Sequence, residues 1–109
     1  MMATAALLAF APAALAYPAP PKLPSSTHGA KYCGKTSRYG YSYSFYITRG
    51  KHRVTCKRAK RLLRETNPAS GRNPKHWVYF DWTKGGNGPW SDVWMRRDRK
   101  AVVAAIIHT

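Results

Sequence analysis

Tyr41, Tyr43, Phe45 and Ile47 alternate with Ser42, Ser44, Tyr46 and Thr48. A period of two in aromatic and β-branched residues predicts a half-buried strand, closed by a turn at Arg49-Gly50. The period then lengthens. With Thr55 as its N-cap, CKRAKRLLRET (56–66) predicts a helix, and its turns put Cys56, Ala59, Leu62, Leu63 and Thr66 on one face. Asn67-Pro68 stops the helix, and NPASGRNP reads as a loop. HWVYFDW (76–82) predicts an aromatic strand, KGGNGP a turn and WSDVWMR (90–96) the returning strand. After RDRK, AVVAAII (101–107) predicts a last strand. The order β-α-β-β-β implies an α+β fold, a small twisted antiparallel sheet of about four strands with one helix packed on one face.

Trp77, Trp82, Trp90 and Trp94 lie close together around the Gly-rich turn. In strand phase Val78, Phe80 and Trp82 share one face, and Trp77, Tyr79 and Asp81 share the other. Asp81 marks its own face as the wetter one, so Trp77 and Tyr79 are the candidates for exposed aromatic contacts, able to stack on sugars or bases. The competing use is the core, since a short domain with few Leu and Ile needs its aromatics inside.

The chain begins MMATAALLAFAPAALA, which carries no charge. Its apolar run is shorter than the roughly 20 residues of a spanning helix. Ala14-Leu15-Ala16 has the small-x-small form that signal peptidase accepts, so residues 1–16 are expected to be a signal peptide. No Lys or Arg precedes the run, which departs from the usual layout. YPAPPKLPSSTHGAK has four prolines, and residues 17–31 are expected to be a semi-extended linker before a basic domain over 32–109. AVVAAIIH has the length of a strand, so no membrane span is expected once the signal is removed.

The two cysteines, Cys33 and Cys56, allow a single pairing. In an oxidising compartment that predicts a disulfide, worth roughly 3 kcal/mol for a loop of this length. A small domain with about 5 kcal/mol of total stability would depend on it heavily. No CxxC or spaced His pair accompanies them, so neither a metal nor any other cofactor is expected.

With VTCKRAKRLL after the first strand, a Trp-bearing strand and a final AVVAAI, residues 33–107 resemble small secreted proteins of actinobacteria. Those proteins open their helix with V-[ST]-C-x-x-A, matched here by Val54, Thr55, Cys56 and Ala59. Members often have a second cysteine pair, where this chain has residues such as Tyr79, Phe80 and Met95. The resemblance implies compartment and fold, and brings no activity with it.

Charge adds the functional question. The chain has 19 Lys and Arg against 4 Asp and Glu, a net charge of +15. Five of these bases fall in the predicted helix: Lys57, Arg58, Lys60, Arg61 and Arg64. Lys57 and Arg58 oppose the helix dipole at the first turn and Glu65 opposes it at the last, each costing about 0.3–1 kcal/mol at low salt. Lys57 with Arg61, and Lys60 with Arg64, repel at i,i+4 spacing. An anionic partner would relieve all these terms together. The helix bases, with Arg49, Lys51 and Arg53 before them, are therefore the candidate face for anionic polymers, whether envelope polysaccharide or nucleic acid. The competing reading is a solvated face, favoured for Arg96, Arg97, Arg99 and Lys100 at the later turn. Membrane insertion fits less well, because the apolar face of the helix is small and needed by the core.

The expected protein is thus a secreted, non-enzymatic monomer that binds anionic polymers. A secreted inhibitor or host-directed binding protein is the alternative of another class. A small ribonuclease-type hydrolase would draw on Glu65, Asp81, Asp92 and Asp98 with His52, His76 and His108. The sequence places no acid–base pair of these within reach.

Overall fold

The structure is a computed structural model and describes residues 17–109; the expected signal peptide lies outside the described residues. Among the described residues the fold is α+β, with five antiparallel strands and one α-helix. The strands are β1 (Lys31–Arg38), β2 (Tyr41–Arg49), β3 (Trp77–Asp81), β4 (Asp92–Arg96) and β5 (Val102–His108), and helix α1 is Cys56–Glu65. Their spatial order is β1-β2-β5-β4-β3, so β5 enters between two hairpins and joins them.

The expected count of four strands misses β1. KYCGKTSR pairs with β2 through most of its length, but its register slips between Tyr32 and Gly34. Such a bulge breaks the alternation by which a strand is recognised. Tyr39 and Gly40 both have positive φ, 57° and 80°, as the two-residue turn of a tight hairpin requires.

Period two divides the sheet's side chains between two cores. Tyr43, Phe45 and Ile47 from β2, Trp77 from β3, Trp94 from β4 and Val103 and Ala105 from β5 meet Ala59, Leu62 and Leu63 of α1. The opposite face gathers Val93, Met95, Val102 and Ala104 with Trp90 and Leu23. Leu23 belongs to the stretch expected to be a free linker. Residues 17–30 contain no strand or helix, yet they lie as a strap across this second face, with Pro21 and Leu23 buried. Prolines favour an extended backbone, and an extended chain can cover a sheet as well as link two parts of a protein.

Helix α1 lies over β1 and β2. Thr55 caps it, its side chain accepting from the Arg58 N–H at 3.1 Å. The Cys33–Cys56 disulfide joins β1 to the helix start across a Cα separation of 5.0 Å. Gly50 makes the entry to the helix possible. Its φ is 77°, and a Cβ there would overlap the Lys100 carbonyl. Among the described residues no helix is long and apolar enough to cross a membrane.

Candidate polyanion-binding groove

The face of α1 opposite its buried residues forms one wall of a groove, and β1 forms the other. Lys57, Lys60, Arg61 and Arg64 from the helix, with Lys35 and Thr36 from β1, line a volume of about 310 Å³. Five cations line this groove, and no carboxylate does among the described residues. Helical geometry sets this arrangement, since positions 57, 60, 61 and 64 fall within one third of a turn while 59, 62 and 63 point into the core. Lys35 was not among the candidates, because the strand that holds it was not recognised. The charge alone could have marked it, once β1 was placed beside the helix.

Arg58 stands apart from the other helix cations. It is half-buried and pairs with Glu65 at 2.9 Å, outside the groove. The helix C-terminus has a cation of its own as well. Arg38, at the end of β1, donates to the Leu63 carbonyl and to the Thr66 carbonyl at 2.9 Å. Two of the apparent electrostatic faults of the helix are therefore answered inside the fold. The first turn still has no acid, and the groove cations have no anion.

Arg49, Lys51 and Arg53 are brought together in the turn between β2 and α1, beside Lys31 and His52. Two of them already have partners. Lys51 donates to the Gly29 carbonyl, and Arg49 donates to the Arg99 carbonyl at 3.1 Å. These cations pin the strap and the later turn to the sheet, while the helix groove cations face open volume.

The aromatic candidates sit differently from the expectation. Trp77 is 4% exposed and belongs to the helix-side core, and Tyr79 is half-buried against that core. Trp77 and Tyr79 do share a face, but Asp81, at the end of the strand, lines a recess with Phe80 and Trp82 of the other face. Asp81 is exposed because it ends the strand, so it says nothing about the face two and four residues earlier. Trp90 and Trp94 are also buried, and Trp82 is the more open of the set.

Each carboxylate has a partner, and none of these partners is a histidine. Glu65 pairs with Arg58, Asp81 accepts from Thr83 at 2.6 Å and Asp98 accepts from Arg96 at 3.1 Å. Asp92 accepts from the Tyr79 hydroxyl at 2.5 Å and from Ser91 at 2.7 Å. Burial first, and this hydrogen bond second, raise the Tyr79 phenol above its ordinary pKa. Tyr43 beside it is raised by burial and by the Asp92 charge. His108 hydrogen-bonds Ser44 at 2.7 Å, without a carboxylate behind the imidazole among the described hydrogen bonds. The described residues hold no cluster of three or more His, Cys, Asp or Glu suited to a metal ion.

No family model matches the chain, and no curated protein or solved structure matches it either.

Proposed function

We propose that this is a secreted, non-enzymatic protein that binds anionic polymers in the groove between α1 and β1. The observation that supports this reading is the groove itself, five cations in one recess with no acid among its lining residues. Surface cations in a solvated protein usually sit among acids of opposite sign, as Arg58 does with Glu65 and Arg96 with Asp98. The groove cations do not. Lys57 and Arg61 also repel one another at the helix turn where the dipole favours anions. A chain of phosphates or carboxylates would satisfy all five cations and gain by counterion release, with no sequence to read.

The test is a salt series on duplex DNA and on a purified envelope polyanion. With about five phosphates neutralised, log K should fall against log salt with a slope of about −4 to −5. Reversing Lys57, Arg61 and Arg64 to Glu should weaken binding to both polymers, while Arg97→Glu with Lys100→Glu at the β4–β5 turn should matter far less. Arg58 is left intact because its loss would leave Glu65 unpaired. A loss from the second reversal in proportion to its smaller change of charge, about two-thirds of the first, would assign binding to net charge and refute the groove.

A further inference from the structure

The strap side of the sheet has a recess that the polyanion reading does not use. It is an open cleft of about 530 Å³ between the strap and the Gly-rich turn, lined by Pro20, Phe80, Asp81, Trp82, Lys84 and Asn87 among others. That volume falls within the range of about 300–1,000 Å³ usual for small-molecule sites. We propose that this cleft binds a neutral sugar ring, with the Trp82 indole as its stacking platform.

Three observations support this, and none depends on the basic groove. First, the platform is held in place before any ligand arrives. The Trp82 indole N–H donates to the Asn87 carbonyl at 3.1 Å, and the Gly86 N–H donates to the Trp82 carbonyl at 3.2 Å. Gly86 lies so close to the Cδ1–Nε1–Cε2 side of the indole that a Cβ there would overlap it, so only glycine lets the turn close on the ring. A fixed aromatic surface loses little entropy when a ligand stacks on it.

Second, the polar groups suit hydroxyls. Asp81 uses Oδ1 to accept from the Thr83 N–H and hydroxyl, at 3.1 and 2.6 Å. Its Oδ2 has no hydrogen-bond partner among the described residues, and it can accept from a sugar diol. Lys84, three residues on in the same turn, can donate to a ring or hydroxyl oxygen. Aromatic faces with a few convergent polar groups are what a pyranose, apolar on its C–H faces and polar at its rim, requires.

Third, the charge selects against the competing ligand. A nucleobase would also stack on Trp82, but it brings a phosphate. On a chain of net charge +15, this recess is lined by one acid and one base, with no arginine among its lining residues. Nothing here gathers phosphate as the helix groove does. A neutral ring fits this balance better than an anion.

The experiment is an NMR titration of the ¹⁵N-labelled protein with cellotriose, N-acetylchitotriose and mannotriose, with adenosine monophosphate as the comparison. At least one trisaccharide should give saturable shifts in the Trp82 indole N–H and the amides of Lys84–Asn87, leaving the helix groove unmoved. Trp82→Ala should weaken that binding by about tenfold or more, and Trp82→Phe, which keeps a ring, by less. Asp81→Asn, at an exposed position that tolerates the change, should also weaken it and so provides a second test if Trp82→Ala fails to fold. DNA binding should be unchanged in all three variants. Absence of saturable shifts with every trisaccharide would overturn the proposal. So would shifts that persist in folded Trp82→Ala, or a stronger response to adenosine monophosphate than to the sugars.

Discussion

The two faces of the sheet are covered by opposite means. On one side a helix packs Leu62 and Leu63 onto a stack of Phe45 and Trp94, whose ring centroids lie 5.6 Å apart. A helix satisfies most of its own backbone, so the sheet beneath it can be almost wholly apolar. On the other side the cover is an irregular strap with prolines at 18, 20, 21 and 24. Prolines supply carbonyls and no N–H, so this cover needs donors from its surroundings. The sheet side provides them. Trp90 donates to the Pro24 carbonyl at 2.8 Å, Asn87 to Leu23 at 2.9 Å and Arg99 to Ala19 at 3.2 Å. The comparison accounts for several of the polar and aromatic side chains around the Gly-rich turn, since a cover that cannot bond itself must be bonded by what it covers.

The largest effect expected from that comparison is on the helix side. The disulfide ties edge strand β1 to the first residue of α1; Lys57 follows Cys56 directly and Lys35 lies two residues past Cys33. Replacing Cys33 and Cys56 by Ser should cost about 3 kcal/mol in urea unfolding, from the loop of 23 residues released in the unfolded chain. The same variant should bind polyanions more weakly, because both walls of the groove lose their shared anchor. The strap should remain docked, with Trp90 still shielded from a quencher. Simultaneous loss of strap protection in a variant that is still folded would show that the two covers are not independent.

Much of the helix side was legible from the chain. Strand β2 repeats with period two and α1 with its own turn, and Thr55, Cys56 and Asn67-Pro68 punctuate the ends. These are local signals, and the structure keeps them. The strap side was less legible. The docking of Leu23 depends on partners more than sixty residues away, and even on the helix side strand β1 was hidden by its register shift between Tyr32 and Gly34. Nothing within YPAPPKLP distinguishes a free linker from a strap. Trp77 illustrates the same limit, since phase gives the face a residue shares but not which face is covered. In the groove the helix cations could be read from spacing, whereas Lys35 and the separate pairing of Arg58 needed the tertiary arrangement.

A middle-sized effect tests whether the strap is a true cover. Leu23 is 8% exposed and packs into the second core. Leu23→Ala should cost about 2 kcal/mol, near the low end for a buried leucine, because a strap at the surface can settle into part of the space left. Trp90 fluorescence should shift to the red as its Pro24 bond loosens, and polyanion binding should not change. A cost below about 0.5 kcal/mol would return residues 17–30 to the status of a linker.

The smallest effect concerns the residue where the two covers meet. The Tyr79 carbonyl accepts from Tyr17 of the strap at 2.8 Å, while its side chain lies on the helix side and donates to Asp92 at 2.5 Å. Tyr79→Phe removes that donor and should cost about 1 kcal/mol at pH 7. The pH dependence then separates the buried hydroxyl from a merely apolar ring. Burial, chiefly, raises the Tyr79 pKa in the folded protein, so the native state keeps its proton where the unfolded chain has lost it. The stabilisation is complete below the unfolded value of about 10 and is lost as pH rises through the folded one. One such proton removes about 1.4 kcal/mol by pH 11, enough to cancel the advantage of the wild type over Tyr79→Phe. Tyr43, raised in the same direction, titrates in both proteins and leaves the difference to Tyr79. Urea unfolding of the pair at pH 7, 9, 10 and 11 measures it. A difference that stays constant to pH 11 would mean that Tyr79 loses its proton as easily in the fold as outside it, and that the junction between the two covers is wet.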